Sequence, residues 1–291
     1  MKKREIFCGN KISTKAVRLG GVLFCDDDII DSKEIIVVMG GFSRVATREK
    51  LLLTIAEKSD KPCFVFDWHG LGMSGGDFGN VTVEGLANDL KRVIGMLFSE
   101  GFSKFHLVGH SLGACVIALF TDRYDKVFSI GKKIFISPAL DQSFLLRCWF
   151  AKEKGLELCI PSWKERYEEN CSLFQERRIR RECDFGKCWD HEEKFQEYIH
   201  AEKVIKGIYF TPNYWEMESP MNYLYYLAGY DHGFFGVLDD DILFIFGNQD
   251  SAVPFSSIDF NAVCRAIFHA DHYLGGQEDG VSEIVNDFIH K

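Results

Sequence analysis

Apolar residues follow two alternating rhythms through the first half of this chain. Residues 22–24, 35–39 and 63–66 are short apolar runs, the pattern of strands covered on both faces. Residues 48–58 read as a helix, and Thr82 precedes a segment in which Leu86, Leu90, Val93, Ile94 and Leu97 share one helical face before Gly101 ends it. Phe105, Leu107 and Val108 make the next buried strand, Leu112, Ala114, Val116, Ile117, Leu119 and Phe120 a packed helix, and residues 133–136 another strand. This βαβ alternation predicts an α/β fold, with a mainly parallel central sheet flanked by helices.

The rhythm breaks at about residue 142. From there to about 235 charged helical segments mix with aromatic residues, among them Trp149, Phe150, Trp163, Trp189, Tyr198 and Trp215. Alternation resumes with strands at 242–246 and 265–268 and a closing helix at 281–289. The expected organisation is a core formed by residues 1–141 and 236–291, with a mostly helical cap inserted at 142–235.

Composition agrees with a globular enzyme-sized chain. Its 291 residues, 46% of them hydrophobic, suffice for one large core with an insertion. A formal net charge of −9 argues against nucleic acid as the main partner, because phosphate binding needs a basic face. The opening MKKREIFCGNK has no apolar region after its basic residues, and no stretch has the length of a membrane span, so the expectation is a cytoplasmic protein. Ten scattered cysteines lack the density of a disulfide framework and read as reduced thiols.

Chemistry enters at residues 105–113, FHLVGHSLG. A Gly-x-Ser-x-Gly motif between a strand and a helix puts Ser111 on a sharp turn with its hydroxyl held out as a nucleophile. The Leu112 N–H at the helix start is then placed to hold a developing oxyanion. An ordinary βα loop with a surface serine is the alternative, and two candidates further along the chain weaken it. Asp250, in Gly-Asn-Gln-Asp after an apolar strand, lies at the carboxyl end where open α/β sheets place their sites. Beyond it, the strand ending at Phe268 runs into His269-Ala270-Asp271-His272. Either histidine is a candidate base; His272, deeper in the loop, has more room to reach both Ser111 and Asp250 and is preferred.

Serine, acid and histidine in that chain order is the order of the α/β-hydrolases. The chain resembles an α/β-hydrolase of the serine esterase and S33 peptidase type over nearly its whole length. Gly40-Gly41-Phe42 is similar to that family's H-G-x oxyanion loop, residues 67–74 (DWHGLGMS) to its D-x-x-G-x-G-x-S segment, Asp250 with Val253-Pro254 to its acid loop, and Ala270-Asp271-His272 to its histidine loop. Residues 75–78 and 81–83 are locally most similar to the cinnamoyl and feruloyl esterases. Two positions depart from the pattern: Gly40 stands where the family usually has histidine, and His69, read as structural, where it usually has arginine.

The resemblance implies an α/β-hydrolase fold and a carboxylesterase-like reaction on a small acyl ester. Ser111 is the nucleophile, His272 the base and Asp250 its partner. The oxyanion would be held by the backbone N–H of Leu112 with that of Phe42 or Gly41, and no cofactor or metal is needed. Thioesterase, lipase-like and aminopeptidase activities use the same machinery, and a non-catalytic ligand-binding member of the fold is the alternative of another class. The aromatic residues of the cap could line an acyl pocket or form the cap's own core. Cys159, Cys171, Cys183, Cys188 and His191 are too irregularly spaced for a structural zinc site, and the arginines of residues 177–181 read as a solvated helix face.

Overall fold

The apolar runs of the sequence become the inner strands of one twisted sheet. The computed structural model describes residues 2–8, 17–25, 32–124, 126–157, 189–201, 203–205, 208–210, 241–253 and 265–291. Its strands are β1 (Lys2–Cys8), β2 (Leu19–Cys25), β3 (Glu34–Met39), β4 (Cys63–Phe66), β5 (Lys104–His110), β6 (Ile130–Ile136), β7 (Lys203–Ile205), β8 (Ile208–Phe210), β9 (Ile242–Gly247) and β10 (Arg265–Phe268). Its helices are α1 (Lys50–Lys58), α2 (Val83–Ser99), α3 (Leu112–Tyr124), α4 (Gln142–Lys154), α5 (Glu192–His200) and α6 (Glu278–His290).

Among the described residues, eight strands form the main sheet in the order β1-β2-β4-β3-β5-β6-β9-β10. From β4 to β10 every pairing is parallel, and the β1/β2 and β2/β4 pairings are antiparallel. Parallel neighbours require crossovers, and α1, α2 and α3 supply them between β3 and β4, β4 and β5, and β5 and β6. Alternate side chains of one strand therefore enter different layers. Ile35, Val37 and Met39 of β3 join α2 and α3 in one core, through Leu86, Leu90, Val93 and Ile117. Ile36 and Val38 join α1 and α6 in the other, through Leu52, Ile55, Val281 and Val285. Thr82 caps α2 by accepting the Gly85 N–H on Oγ1 at 3.0 Å, and Gly101, at φ +104°, turns the chain out of it.

Three strands were not anticipated from the sequence. β1 is mostly exposed, and its residues KKREIFC show no apolar alternation because an edge strand held by backbone hydrogen bonds to β2 needs none. In the segment expected to be mostly helical, β7 and β8 pair as a two-stranded antiparallel sheet alongside α4 and α5. Three-residue strands are too short to set a period. The aromatic residues of 158–188 and 211–240, the four cysteines considered for zinc and the arginines of 177–181 lie outside the described residues.

Candidate active site

β5 ends at His110 and α3 begins at Leu112, so Ser111 alone makes the junction. Its φ is +53°, a left-handed conformation that costs a non-glycine residue on the order of 1–3 kcal/mol and persists only when the surroundings fix it. The surroundings do so: the Ser111 N–H donates to the Ile136 carbonyl at 2.8 Å, and its own carbonyl accepts from Ala114 N (3.1 Å) and Ala139 N (3.2 Å). The flanking glycines make the turn sterically possible. A Cβ on Gly109 would lie 2.5 Å from the Gly113 carbonyl carbon, and one on Gly113 would lie 2.9 Å from the carbonyl oxygens of Met39 and Gly40.

Parallel strands bring the other two candidates to the same end of the sheet. Asp250 lies three residues beyond β9 and His272 four beyond β10. The two loops are fastened by Asn248 N–H to the Phe268 carbonyl and Gln249 N–H to the Ala270 carbonyl, each 2.9 Å. His272 Nδ1 lies 2.7 Å from Asp250 Oδ2, and the other carboxylate oxygen accepts the N–H groups of Ala252 and Val253, both at 2.8 Å. With Asp250 accepting at Nδ1, the lone pair of neutral His272 sits on Nε2. His269 points elsewhere, its Nε2 2.9 Å from the exposed Gln249 side chain, while Asp271 Oδ1 accepts the Tyr273 N–H within its own turn.

Ser111 and this pair meet through His110. The His110 ring lies 4.9 Å from that of His272, and its Nε2 is 2.8 Å from the His272 carbonyl oxygen. Gly41 backs onto the serine: a Cβ there would sit 3.1 Å from Ser111 Cβ. Phe42 continues the loop and meets Phe78 and Trp149 edge-on, with ring centres at 5.9 and 6.0 Å. The loop is braced at Gly40, since buried Trp68 donates Nε1–H to the Gly40 carbonyl at 2.9 Å.

The D-x-x-G-x-G-x-S segment has a scaffolding part here. Buried Asp67 accepts from Thr47 N, Thr47 Oγ1 and Met73 N at 3.0, 2.7 and 2.9 Å, joining the loops after β3 and β4. Ser74 Oγ donates to the Asp67 carbonyl at 2.6 Å. His69 turns toward α2, with Nδ1 3.9 Å from Asp89 Oδ2. Burial pushes the Asp89 carboxyl up from its ordinary range.

Among the described aromatic residues of 142–235, Trp149 reaches the site: it touches Phe42 and its Nε1–H donates to the Ala252 carbonyl at 3.4 Å. Phe150, Trp189, Phe195 and Tyr198 instead pack on one another, with ring centres 4.9 to 5.8 Å apart. Sequence reasoning alone misses His110 and Trp68 as site-shaping residues, and it names Trp149 only among aromatic residues that could line a pocket. The signals are present, a histidine in the variable position of Gly-x-Ser-x-Gly and a tryptophan inside DWHG, but neither residue type implies a direction without the fold.

The profile of the family described as serine aminopeptidase, S33, matches residues 30–209. Sequence comparison with curated proteins gave no significant match. Among solved structures, Est1E from Butyrivibrio proteoclasticus with ferulic acid bound superposes with a TM-score of 0.66 at 16% identity, over 98% of each chain. The alpha/beta hydrolase domain-containing protein 10 from mouse gives 0.59 at 13% identity over 99% of this chain and 98% of that one. The Pyrococcus furiosus esterase PF2001 gives 0.57 at 15% identity over 99% and 92%. At these identities the likeness is one of fold.

Proposed function

The chain belongs to the serine aminopeptidase S33 family of α/β-hydrolases, and from that premise we propose that it is a serine hydrolase that cleaves a carboxylic ester through an acyl-enzyme. The reading is supported by the Asp250–His272 pair, 2.7 Å apart, and by His110, which binds the His272 backbone and directly precedes a serine held in a left-handed turn between strand and helix. Ser111 Oγ attacks the acyl carbon while His272 Nε2 takes its proton, and Asp250 stabilises the imidazolium. The backbone N–H of Leu112 and that of Phe42 or Gly41 hold the oxyanion. His272 returns the proton to the departing alcohol, and water repeats the sequence to free the acid. The segment 142–235 is the cap, and among its described residues Trp149 bounds the acyl site.

The ester substrate is supported by the resemblance to esterases in fold and by the apolar wall of Phe42, Phe78 and Trp149. The family description favours a second reading, an aminopeptidase, on the same residues. Ser111→Ala should abolish turnover of p-nitrophenyl butyrate and labelling by a fluorophosphonate probe while leaving the fold intact. Turnover unchanged in that variant sinks the assignment. A parallel assay on aminoacyl p-nitroanilides separates the two substrate classes.

A further inference from the structure

The residue before the serine is buried more deeply than a loop histidine requires. His110 is 1% exposed, and its environment is built from three loops. On one edge, Nε2 lies 2.8 Å from the His272 carbonyl. A carbonyl cannot donate, so Nε2 carries the hydrogen and Nδ1 is bare in the neutral ring. On the other edge, Nδ1 has no hydrogen-bond partner among the described residues and faces the Glu49 carboxylate, with Oε2 3.9 Å away. Glu49 is buried beside α1, and its Oε1 is bound by Arg44 Nε.

Arg44 closes the arrangement by lying over the Tyr273 ring, 4.7 Å from its centre, and Tyr273 follows His272 directly. The Tyr273 ring is also 5.8 Å from that of His110 and 5.2 Å from that of His272. His110 is thus tied to the serine by a peptide bond and to the His272 backbone by a hydrogen bond, and its ring lies beside that of Tyr273. Burial holds the ring below its ordinary pKa, with the neighbouring His272 acting in the same direction and Glu49 and Asp250 opposing. A neutral His110 spares His272 a like charge when it becomes imidazolium.

Resting on the reading of Ser111 and His272 given above, we propose that His110 is a positioning residue, whose Nε2–H grips the His272 backbone and so fixes the loop that presents the imidazole to Ser111. Nothing in the Gly-x-Ser-x-Gly pattern requires histidine there. The consequence is a loss confined to the chemical step when the donor is removed.

The test uses steady-state hydrolysis of p-nitrophenyl acetate by the full chain. His110→Leu should lower kcat by about 10- to 100-fold, the scale of an ångström-sized misplacement, with KM within about threefold. His110→Gln, which keeps an N–H donor near Nε2, should regain most of the lost kcat. A folded His110→Leu with the parent kcat overturns the proposal, and so does equal impairment of the Leu and Gln variants, because packing rather than the donor would then be responsible. Nitrogen-15 NMR of the unmodified protein provides a measurement independent of any variant's folding. The His110 ring should carry its proton on Nε2 at neutral pH, and a ring protonated on Nδ1 alone, or on both nitrogens, overturns it. The two levels of inference separate cleanly. If Ser111→Ala is inactive while His110→Leu is unimpaired, only the positioning role fails; if Ser111→Ala is fully active, the site reading fails with it.

Discussion

Strain and steric exclusion at single residues explain why the serine turn tolerates so little change. Gly109→Ala would drive a Cβ into backbone atoms of Gly113 and Ala114 that have no free torsion to relieve it. A loss of stability of at least about 1–3 kcal/mol is expected, measurable as a lower urea midpoint with an unchanged slope. Asp250→Asn retains the size of the side chain but changes what it offers Nδ1 of His272. Its expected effect is a fall in kcat on the order of a thousandfold or more with little change in thermal stability, read from ester hydrolysis and a melting curve side by side. A variant retaining most of the parent kcat would mean that Asp250 does not serve His272 in the reaction. The flanking glycines and the serine are visible in the sequence because each residue type is itself the signal; His110 was not, because a histidine gives no sign of which atom its nitrogens will meet.

At the scale of elements, polar ties outside the active site join strands and helices that the apolar pattern only brings near. Glu34, at the start of β3, accepts Lys61 and Lys104, each at 2.9 Å, and these ammonium groups, Lys61 foremost, hold its carboxyl at about 2, below the ordinary 4.5. Because the folded value is the lower one, the stabilisation is fully present above about pH 4.5 and is lost as pH falls through about 2. Glu34→Gln should therefore be less stable than the parent at pH 7, with the difference closing as unfolding is measured at progressively lower pH between those values. A difference that stays constant down to pH 2 would contradict the tie. Between helices, buried Arg147 of α4 holds Glu192 of α5 through Nε and Nη2 at 2.8 and 2.6 Å and lies over the Phe195 ring. Arg147→Ala leaves the Glu192 carboxylate with the Gln196 amide, 2.6 Å from Oε1, but without its cation, and a loss of about 1–3 kcal/mol in chemical unfolding is expected. The helices themselves were legible from their apolar faces; these ties were not, since a charged residue in a sequence does not announce its distant partner.

Over the whole molecule, the sheet order decides which loops share a site. β9 lies beside β6, and β10 beside β9, although the segment carrying α4 and α5 separates them from β6 in the chain, and Trp149 of α4 reaches back to both Phe42 and Ala252. If that side chain bounds the acyl site, Trp149→Ala should raise kcat/KM for octanoyl over acetyl esters relative to the parent. An unchanged chain-length profile would place the acyl boundary elsewhere.

Local information settled much of this protein: the buried strands, the amphipathic helices, the capped start of α2 and the glycine-flanked serine are all written in runs of fewer than twenty residues, because periodicity, capping and steric freedom act over that range. The order Ser111, Asp250, His272 was equally readable. The tertiary structure decided what depends on convergence: that His272 rather than His269 meets Asp250, that Trp68 braces the loop at Gly40, and that His110 meets the His272 backbone. Hydrogen bonds and ring contacts are made within a few ångströms in space, and across 162 residues of chain, as between His110 and His272, only the fold sets that distance.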